Sequence, residues 1–187
     1  MTAFDAIILS GGRAERLGGV DKGTIEIGGR TLLSYAFDAA AEARAIAVVG
    51  PPVERFGVIS TREDPPGGGP VAGIAAGLKA LAGGVNRVLV LAVDTPRGGA
   101  AIPDLLAAVE PAEAAIAVDE DGRDQPLLGV YKRAALESAL ARLSSPDGAS
   151  MRSLLRRLTI ARVPVAAGVS LDADTWDDVR RLREQWS

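Results

Sequence analysis

The segment Arg87–Val93 (RVLVLAV) is an almost unbroken run of apolar residues. A strand without polar alternation is typical of a parallel sheet, because helices cover both of its faces. The segment therefore predicts a central parallel strand in a layered α/β fold.

Strand-like and helix-like patterns alternate through the rest of the chain. The predicted strands are Phe4–Ser10, Ala45–Gly50, Gly57–Ser60, Arg87–Val93, Ala114–Val118, Pro126–Tyr131 and Ile160–Val165. The predicted helices are Thr31–Ala43 (with Thr31 as N-cap), Val71–Ala82, Ile102–Val109, Arg133–Leu143, Ser150–Leu158 and Thr175–Gln185. This alternation predicts a mostly parallel α/β sandwich. With 187 residues and no evident linker, we expect a single domain over residues 1–187.

Two residue types are absent from the chain, and each absence excludes a class of chemistry. Without cysteine there is no disulfide, thiolate zinc site or cysteine nucleophile. Without histidine there is no Ser-His-Asp triad and no imidazole metal ligand. Any metal must be bound by oxygen atoms, which favours Mg²⁺, Ca²⁺ or Mn²⁺.

Charge and hydropathy set expectations for partners and location. The net charge is -3 and no block of Lys or Arg occurs, which argues against a nucleic-acid partner. No apolar run approaches the roughly 18 residues of a membrane span. Asp5 interrupts the first apolar run, and no basic segment precedes it, so a secretory leader is not expected. We therefore expect a cytoplasmic protein without a membrane partner.

Polar residues follow several of the predicted strands. Ligands of open parallel sheets bind beyond the carboxyl ends of the strands. The loop after the first strand, Asp64 with the PPGGG segment, and Asp94 after the central strand all fall at such ends. This convergence predicts a binding site there.

The loop Leu9–Lys22 (LSGGRAERLGGVDK) has the composition of a phosphate-binding loop. Gly11 and Gly12 can adopt positive φ and expose successive N–H groups to an anion. Arg13, Arg16 and Lys22 add positive charge for phosphate oxygens. The loop matches neither the Walker A pattern nor the GxGxxG dinucleotide fingerprint.

This loop resembles the signature of the nucleotidyltransferase superfamily that includes sugar-nucleotide pyrophosphorylases and cytidylyltransferases. The double glycine and the continuation GGVDKG resemble one branch, the molybdenum cofactor guanylyltransferases. The resemblance implies a three-layer αβα sandwich with a Rossmann-like, mostly parallel sheet of the nucleotide-diphospho-sugar transferase type. It also implies nucleotide contacts from Leu9, Ser10, Gly11 and Gly12, and phosphate contacts from Arg16 and Lys22.

Two later segments resemble the same family. Gly69–Ile74 (GPVAGI) is similar to its GPLAG stretch, and the resemblance makes the preceding Asp64 a nucleotide-contacting carboxylate. The alternative for Asp64 is a turn that leads into a helix. Asp94 in LAVDTP resembles the family's metal-binding aspartate, which implies a role in catalysis and in Mg²⁺ binding. Its alternative is an N-cap or turn residue.

Two segments of the second half resemble the acceptor side of the family. Arg123–Leu127 (RDQPL) is similar to an R-x-[QH]-P motif, so Arg123 and Gln125 are implied acceptor-binding residues, although a hairpin turn explains the segment almost as well. Leu171–Val179 (LDADTWDDV) resembles the family's closing motif. There Asp174, or Asp172, is implied as a second metal carboxylate. A capping box from Thr175 to Asp178 is the alternative.

The chain also departs from the family pattern. Gly50 stands where the guanylyltransferases often carry Asn, so one side-chain contact to the nucleotide is absent. Trp176 replaces the usual Pro, and Arg97–Ala101 resembles a short insertion. The resemblance is closest in the first loop, at GPVAG and at DTP.

The reaction implied by this resemblance is attack of an acceptor phosphate on the α-phosphorus of an NTP, with release of pyrophosphate. Lys22, Arg16 and Asp94 would carry it, with GTP and molybdopterin as substrates and Mg²⁺ as cofactor. A phosphomonoester is already ionised at neutral pH, which suits a chain without histidine. The alternatives are transfer of CMP or another nucleotide to molybdopterin or a sugar phosphate, and a non-catalytic nucleotide-binding regulator. Transient contact with other molybdenum cofactor proteins is implied as well.

Overall fold

A computed structural model of the chain describes residues 3–11 and 18–186. Its strands are β1 (Asp5–Leu9), β2 (Glu26–Ile27), β3 (Arg30–Thr31), β4 (Ile46–Val49), β5 (Val58–Thr61), β6 (Arg87–Ala92), β7 (Ala114–Val118), β8 (Asp124–Lys132) and β9 (Ile160–Pro164). Its α-helices are α1 (Leu32–Ala39), α2 (Gly69–Ala80), α3 (Ile102–Ala108), α4 (Arg133–Ala141), α5 (Met151–Leu155) and α6 (Trp176–Glu184). Short 3₁₀ helices cover Lys22–Thr24 and Gly98–Ala101.

Over the described ranges, one large sheet has the strand order β5-β4-β1-β6-β8-β7-β9. Strands β5, β4, β1 and β6 pair in parallel, and β7 pairs in parallel with β9. Strand β8 is antiparallel to both β6 and β7. The sheet is therefore mostly parallel, as predicted.

Helices cover both faces of this sheet. The alternating side chains of β1 show it: Ala6 and Ile8 pack in a core with α1, α3 and α6, whereas Ile7 and Leu9 pack in a second core with α2, α4 and α5. Gly77 of α2 permits a close approach, because a Cβ at this position would lie 2.7 Å from Ile7. The three-layer αβα sandwich is confirmed.

Each predicted strand and helix has a counterpart, but several details differ. Strand β6 is central as predicted, yet only one of its two neighbours is parallel, because β8 inserts in the opposite direction. Helix α1 ends at Ala39, four residues before the predicted Ala43, and the chain continues in turns. A run of alanines has a high helix propensity throughout, so its sequence does not mark where the helix ends.

The hairpin formed by β2 and β3 was not predicted. Its turn consists of Gly28 and Gly29, both with positive φ (58° and 75°). Two glycines between two short extended segments are a known hairpin signal. The strands contain only two residues each, too few to show an apolar alternation.

Asp5, at the amino end of β1, is fully buried. Arg44 donates to both of its carboxylate oxygens at 2.9 and 3.1 Å, and the Arg133 guanidinium donates to Oδ2 at 2.9 Å. The backbone N–H of Val85 adds a bond of 3.1 Å. Gly84 makes room for this cluster, because a Cβ there would lie 2.0 Å from Asp5 Oδ2. The sheet end opposite the expected site is thus fixed by a buried charge network.

Among the described residues, none of the helices could span a membrane; the longest α-helix, α2, has 12 residues.

We expect Asp5→Asn to lower the free energy of unfolding by about 3 kcal/mol, because it leaves the Arg133 guanidinium buried beside an uncharged partner. Asp38→Asn is the matched control, since Asp38 pairs with Arg30 at the exposed surface. Urea unfolding followed by circular dichroism measures both. Equal losses in the two variants would contradict the role assigned to the buried network.

Candidate active site

The first loop leaves β1 at the carboxyl edge of the sheet. Ser10 is buried, and its N–H and that of Gly11 both donate to Val49 O, at 2.9 and 3.0 Å. The predicted residues Gly12 and Arg16 lie outside the described residues, as does Arg13. The loop is described again from Gly18, where Gly18 and Gly19 have positive φ (74° and 78°).

Gly11 does not use its freedom to adopt a positive φ. The residue that must be a glycine is Gly50, which lies against the Ser10–Gly11 segment. A Cβ on Gly50 would lie 2.5 Å from the Gly11 nitrogen, and the φ of Gly50 is +148°. An Asn at position 50 of this chain would therefore clash with the loop.

Lys22 begins the 3₁₀ helix that follows the loop. Asp21 caps this helix, since its Oδ1 accepts from the Gly23 N–H at 2.9 Å. Gly23 is buried against Ser10, the residue that follows β1, because a Cβ at this position would lie 2.9 Å from Ser10 Oγ. The cap and this packing place the Lys22 side chain beside the end of the central strands.

The Lys22 ammonium bridges two carboxylates. It donates to Asp94 Oδ2 at 2.7 Å and also to Asp174 Oδ1. The side chains of Lys22 and Asp94 are only 16% and 18% exposed, whereas that of Asp174 is 45% exposed. Burial by itself lowers the pKa of Lys22, but the attraction of Asp94 and Asp174 outweighs it and the pKa is raised. The ammonium is thus held in its charged form.

The two carboxylates come from distant parts of the chain. Asp94 follows β6, and the chain between them is held to β1 because Val93 N donates to Leu9 O at 3.0 Å. Ala173 is buried and its N–H donates to Asp94 O at 3.0 Å, which places Asp174 beside Asp94. Thr175 then caps α6 in a full capping box with Asp178. The same segment therefore forms the capping box and also brings the Asp174 carboxylate to Asp94.

Asp172 adds a third carboxylate to this region. Burial raises its pKa, and the nearby negative charges of Asp174, Asp94 and Asp178 raise it further, while Lys22 opposes the shift. Asp172 was predicted as an alternative to Asp174, and the structure brings both residues to the same place.

A cavity of about 320 Å³ opens beside these carboxylates. Its lining residues are Ala92, Asp94, Thr95, Gln125, Pro126, Leu127, Leu128, Met151, Ser170, Asp172 and Asp174. The predicted residue Gln125 lies in this wall, where its Nε2 donates to Asp119 Oδ2 at 2.9 Å. Met151 and Ser170 were not predicted, because each belongs to a segment without a motif and only the folding of the chain brings it here.

Two other predicted residues are placed differently. Arg123 lies in the turn between β7 and β8, pairs with Asp121 at 2.7 Å and does not line the cavity; its side chain is 73% exposed. Asp64 is exposed in the loop after β5 and does not line this cavity either. The hairpin turn, which was the alternative for Arg123, is present.

The donor atoms suit a hard divalent cation. Asp94 and Asp174 offer carboxylate oxygens within reach of one point, the position of the Lys22 ammonium. No group of three or more acidic residues arranged to hold a metal occurs in the part of the chain that the structure describes. Mg²⁺ is commonly held by one or two carboxylates together with substrate phosphates and waters. The pair therefore fits a Mg²⁺ ion that a phosphate ligand shares.

Comparison with known proteins gives a consistent result. Residues 6–163 match the family model of the MobA-like NTP transferase domain. A molybdenum cofactor guanylyltransferase of Acidiphilium cryptum is 38% identical over 149 residues, which cover 75% of this chain and 73% of that protein. One from Cereibacter sphaeroides is 34% identical over 152 residues, covering 78% and 77%.

Two solved structures share the fold. The molybdopterin-guanine dinucleotide biosynthesis protein A of Archaeoglobus fulgidus superposes with a TM-score of 0.75 at 21% identity, over 97% of each chain. The 2-C-methyl-D-erythritol 4-phosphate cytidylyltransferase of Thermus thermophilus gives 0.73 at 19% identity, over 99% of each chain.

We expect Gly50→Ala to destabilise the protein by about 3 kcal/mol, since the new Cβ would strain the backbone and push the Ser10–Gly11 segment away. Gly57→Ala is the control, because Gly57 also has a positive φ (+77°) but no atom lies near its added Cβ. That variant should lose only about 1 kcal/mol. Urea unfolding gives both values, and an equal loss would show that the contact with Gly11 has no special importance.

Proposed function

This chain belongs to the MobA-like NTP transferase family and is a nucleotidyltransferase, and we propose that it transfers GMP from GTP to molybdopterin. The products are pyrophosphate and the guanine dinucleotide form of the cofactor. The observation that carries the proposal is the convergence of Lys22, Asp94 and Asp174 on a cavity at the carboxyl edge of the sheet. The choice of substrates rests on the names of relatives that are 30–38% identical.

In the proposed reaction an oxygen of the acceptor phosphate attacks the α-phosphorus of GTP. The new P–O bond forms as the bond from the α-phosphorus to the bridging oxygen breaks, and pyrophosphate leaves with the electron pair. No general base is required, because a phosphomonoester with a second pKa of about 6 is already ionised at neutral pH. Alignment and charge neutralisation then supply the rate enhancement.

On the nucleotide side, we assign Leu9, Ser10 and Gly11 to contacts with GTP, since they lie at the carboxyl end of β1 and Ser10 packs against Gly23, the residue after Lys22. Gly12 and Arg16 keep the nucleotide and phosphate roles that the sequence predicts, and Asp64 remains a predicted nucleotide contact. The Lys22 ammonium neutralises charge on the phosphates. When bound by Asp94 and Asp174, Mg²⁺ would supply further charge neutralisation at the donor and acceptor phosphates.

On the acceptor side, the cavity beside Asp94 is the proposed binding place. Gln125 offers an amide in its wall, and Leu127 and Met151 offer apolar surface for a flat heterocycle. Arg123 remains a predicted acceptor-binding residue, and this prediction rests only on its position in the motif. Its side chain is directed to Asp121. The amino-terminal half of the chain would thus bind the nucleotide and the carboxyl-terminal half the acceptor.

A cytoplasmic location and transient contacts with other molybdenum cofactor proteins stay predictions.

We expect GTP to bind at least about tenfold more tightly than CTP or ATP in the presence of Mg²⁺. Isothermal titration of the purified protein with each nucleotide measures this. A preference for CTP or ATP would be consistent with nucleotidyl transfer but would contradict GTP as the donor. Binding without any release of pyrophosphate on addition of molybdopterin would favour a nucleotide-binding regulator instead.

Asp94→Asn should lower the rate of pyrophosphate release by about 100-fold or more, because it removes charge from the proposed metal site. Asp104→Asn is the control, since Asp104 is an exposed carboxylate on α3 outside the cavity. Circular dichroism of both variants checks that the fold is kept. Full turnover by Asp94→Asn would contradict the assigned role.

Gln125→Ala should raise the KM for molybdopterin about tenfold while the KM for GTP changes little, because Gln125 lines the cavity but is not assigned to the nucleotide. Arg123→Ala is the matched comparison within the same motif, and its effect on the acceptor KM should be smaller. Steady-state kinetics with each substrate varied in turn decide the matter. A larger effect from Arg123 would place the acceptor at the hairpin turn.

A further inference from the structure

Lys22 occupies the point that Asp94 and Asp174 share. Its ammonium bonds to Asp94 Oδ2 at 2.7 Å and to Asp174 Oδ1. No other Lys or Arg of the described ranges pairs with either carboxylate. The same oxygens are assigned above to Mg²⁺. The Lys22 ammonium and Mg²⁺ are therefore two cations assigned to one pair of carboxylates.

A lysine ammonium and a divalent cation cannot both lie between these two carboxylates. Two positive charges separated by the few ångströms of such a site repel each other strongly, and this repulsion is stronger where the groups are partly buried. A metal that enters must therefore displace the ammonium from at least one of its partners.

The backbone around Lys22 is held in place by capping, packing and hydrogen bonds. The 3₁₀ helix of Lys22 is capped by Asp21 and packed against Ser10 through Gly23. The hairpin that follows is held to α6, because Arg183 Nε donates to Glu26 O at 3.0 Å. By contrast, the Lys22 ammonium sits on a flexible four-carbon stem with three donors that can be redirected.

We propose that Lys22 is an internal competitor of the divalent cation and that the phosphates of the NTP end this competition by drawing the ammonium to themselves. The inference rests on the metal role proposed for Asp94 and Asp174. It goes beyond that role, because it makes metal binding depend on the nucleotide. The free protein then binds a divalent cation weakly, and the metal and the nucleotide each strengthen the binding of the other.

The charges around the cavity favour this exchange. Asp172, Asp174 and Asp94 line the same cavity, and Lys22 is the cation held among them. Once phosphates provide Lys22 with other anionic partners, the carboxylates are left with negative charge that a divalent cation neutralises. Without nucleotide, the ammonium already neutralises part of that charge.

The test is a titration of the nucleotide-free protein with Mn²⁺, followed by electron paramagnetic resonance of the free ion. The variants are Lys22→Met, which removes the charge, Lys22→Arg, which keeps it, and Lys79→Met, which removes an exposed charge on α2. We expect Lys22→Met to bind Mn²⁺ at least about tenfold more tightly than the wild type. Lys22→Arg and Lys79→Met should bind it as weakly as the wild type.

A second titration includes a non-hydrolysable GTP analogue, corrected for Mn²⁺ held by the analogue itself. The analogue should raise the Mn²⁺ affinity of the wild type by about tenfold or more and that of Lys22→Met by much less. If Lys22→Met lowers the melting temperature, Mn²⁺ should restore it more than it stabilises the wild type. Adding Asp94→Asn to Lys22→Met should abolish the gain, which locates the ion.

Lys22→Met binding Mn²⁺ no more tightly than the wild type would overturn the inference. An equal gain from Lys79→Met would overturn it as well, because the effect would then come from net charge. These results are separate from those for the substrates. Tighter Mn²⁺ binding in Lys22→Met without a preference for GTP would support the competition between Lys22 and the metal but contradict GTP as the nucleotide donor. GTP turnover without tighter Mn²⁺ binding in Lys22→Met would support GTP as the donor but contradict the competition.

Discussion

The structure depends on the burial of β1 and β6 on both faces. Their side chains alternate between two apolar cores, so a polar side chain can be accommodated only where a strand begins or ends. Asp5 lies at the amino end of β1 and is neutralised by Arg44 and Arg133. Asp94 follows the carboxyl end of β6 and is neutralised by Lys22. The same constraint thus produces a structural carboxylate at one edge of the sheet and a proposed functional one at the other.

These two carboxylates differ in what surrounds them. Asp5 is fully buried and its partners and a backbone N–H satisfy both oxygens, which leaves no place for a ligand. Asp94 is partly exposed in a cavity, and its partner Lys22 has a long side chain that other anions can attract. A fully satisfied buried charge stabilises one conformation, whereas a partly satisfied charge at a cavity can exchange its partner. That difference supports a structural role for Asp5 and a binding role for Asp94.

Glycines bring the segments of the candidate site together. Gly50 and Gly11 touch backbone to backbone, Gly23 packs on Ser10, and Gly73 of α2 lies against Leu9. Each contact is too short for a Cβ to be added without displacement. The sequence shows these residues as glycines but does not show which need positive φ and which need space. For Gly23 and Gly73 the reason is space, and for Gly50 the structure gives both reasons.

The layered α/β class, the order of its main elements, the exclusion of imidazole and thiolate chemistry, and the candidates Lys22 and Asp94 could be derived from the amino-acid sequence, whereas Asp174 became a candidate through the resemblance to the family. Those results follow from local patterns, since periodicity, turn residues and motif spacing are properties of neighbours in the chain. Three facts emerge only from the folded chain: β8 runs antiparallel beside β6, Gln125 lines the cavity while Arg123 does not, and Lys22 bridges Asp94 and Asp174. These facts depend on strand pairing and side-chain packing between segments up to 152 residues apart, and no local pattern encodes such distances.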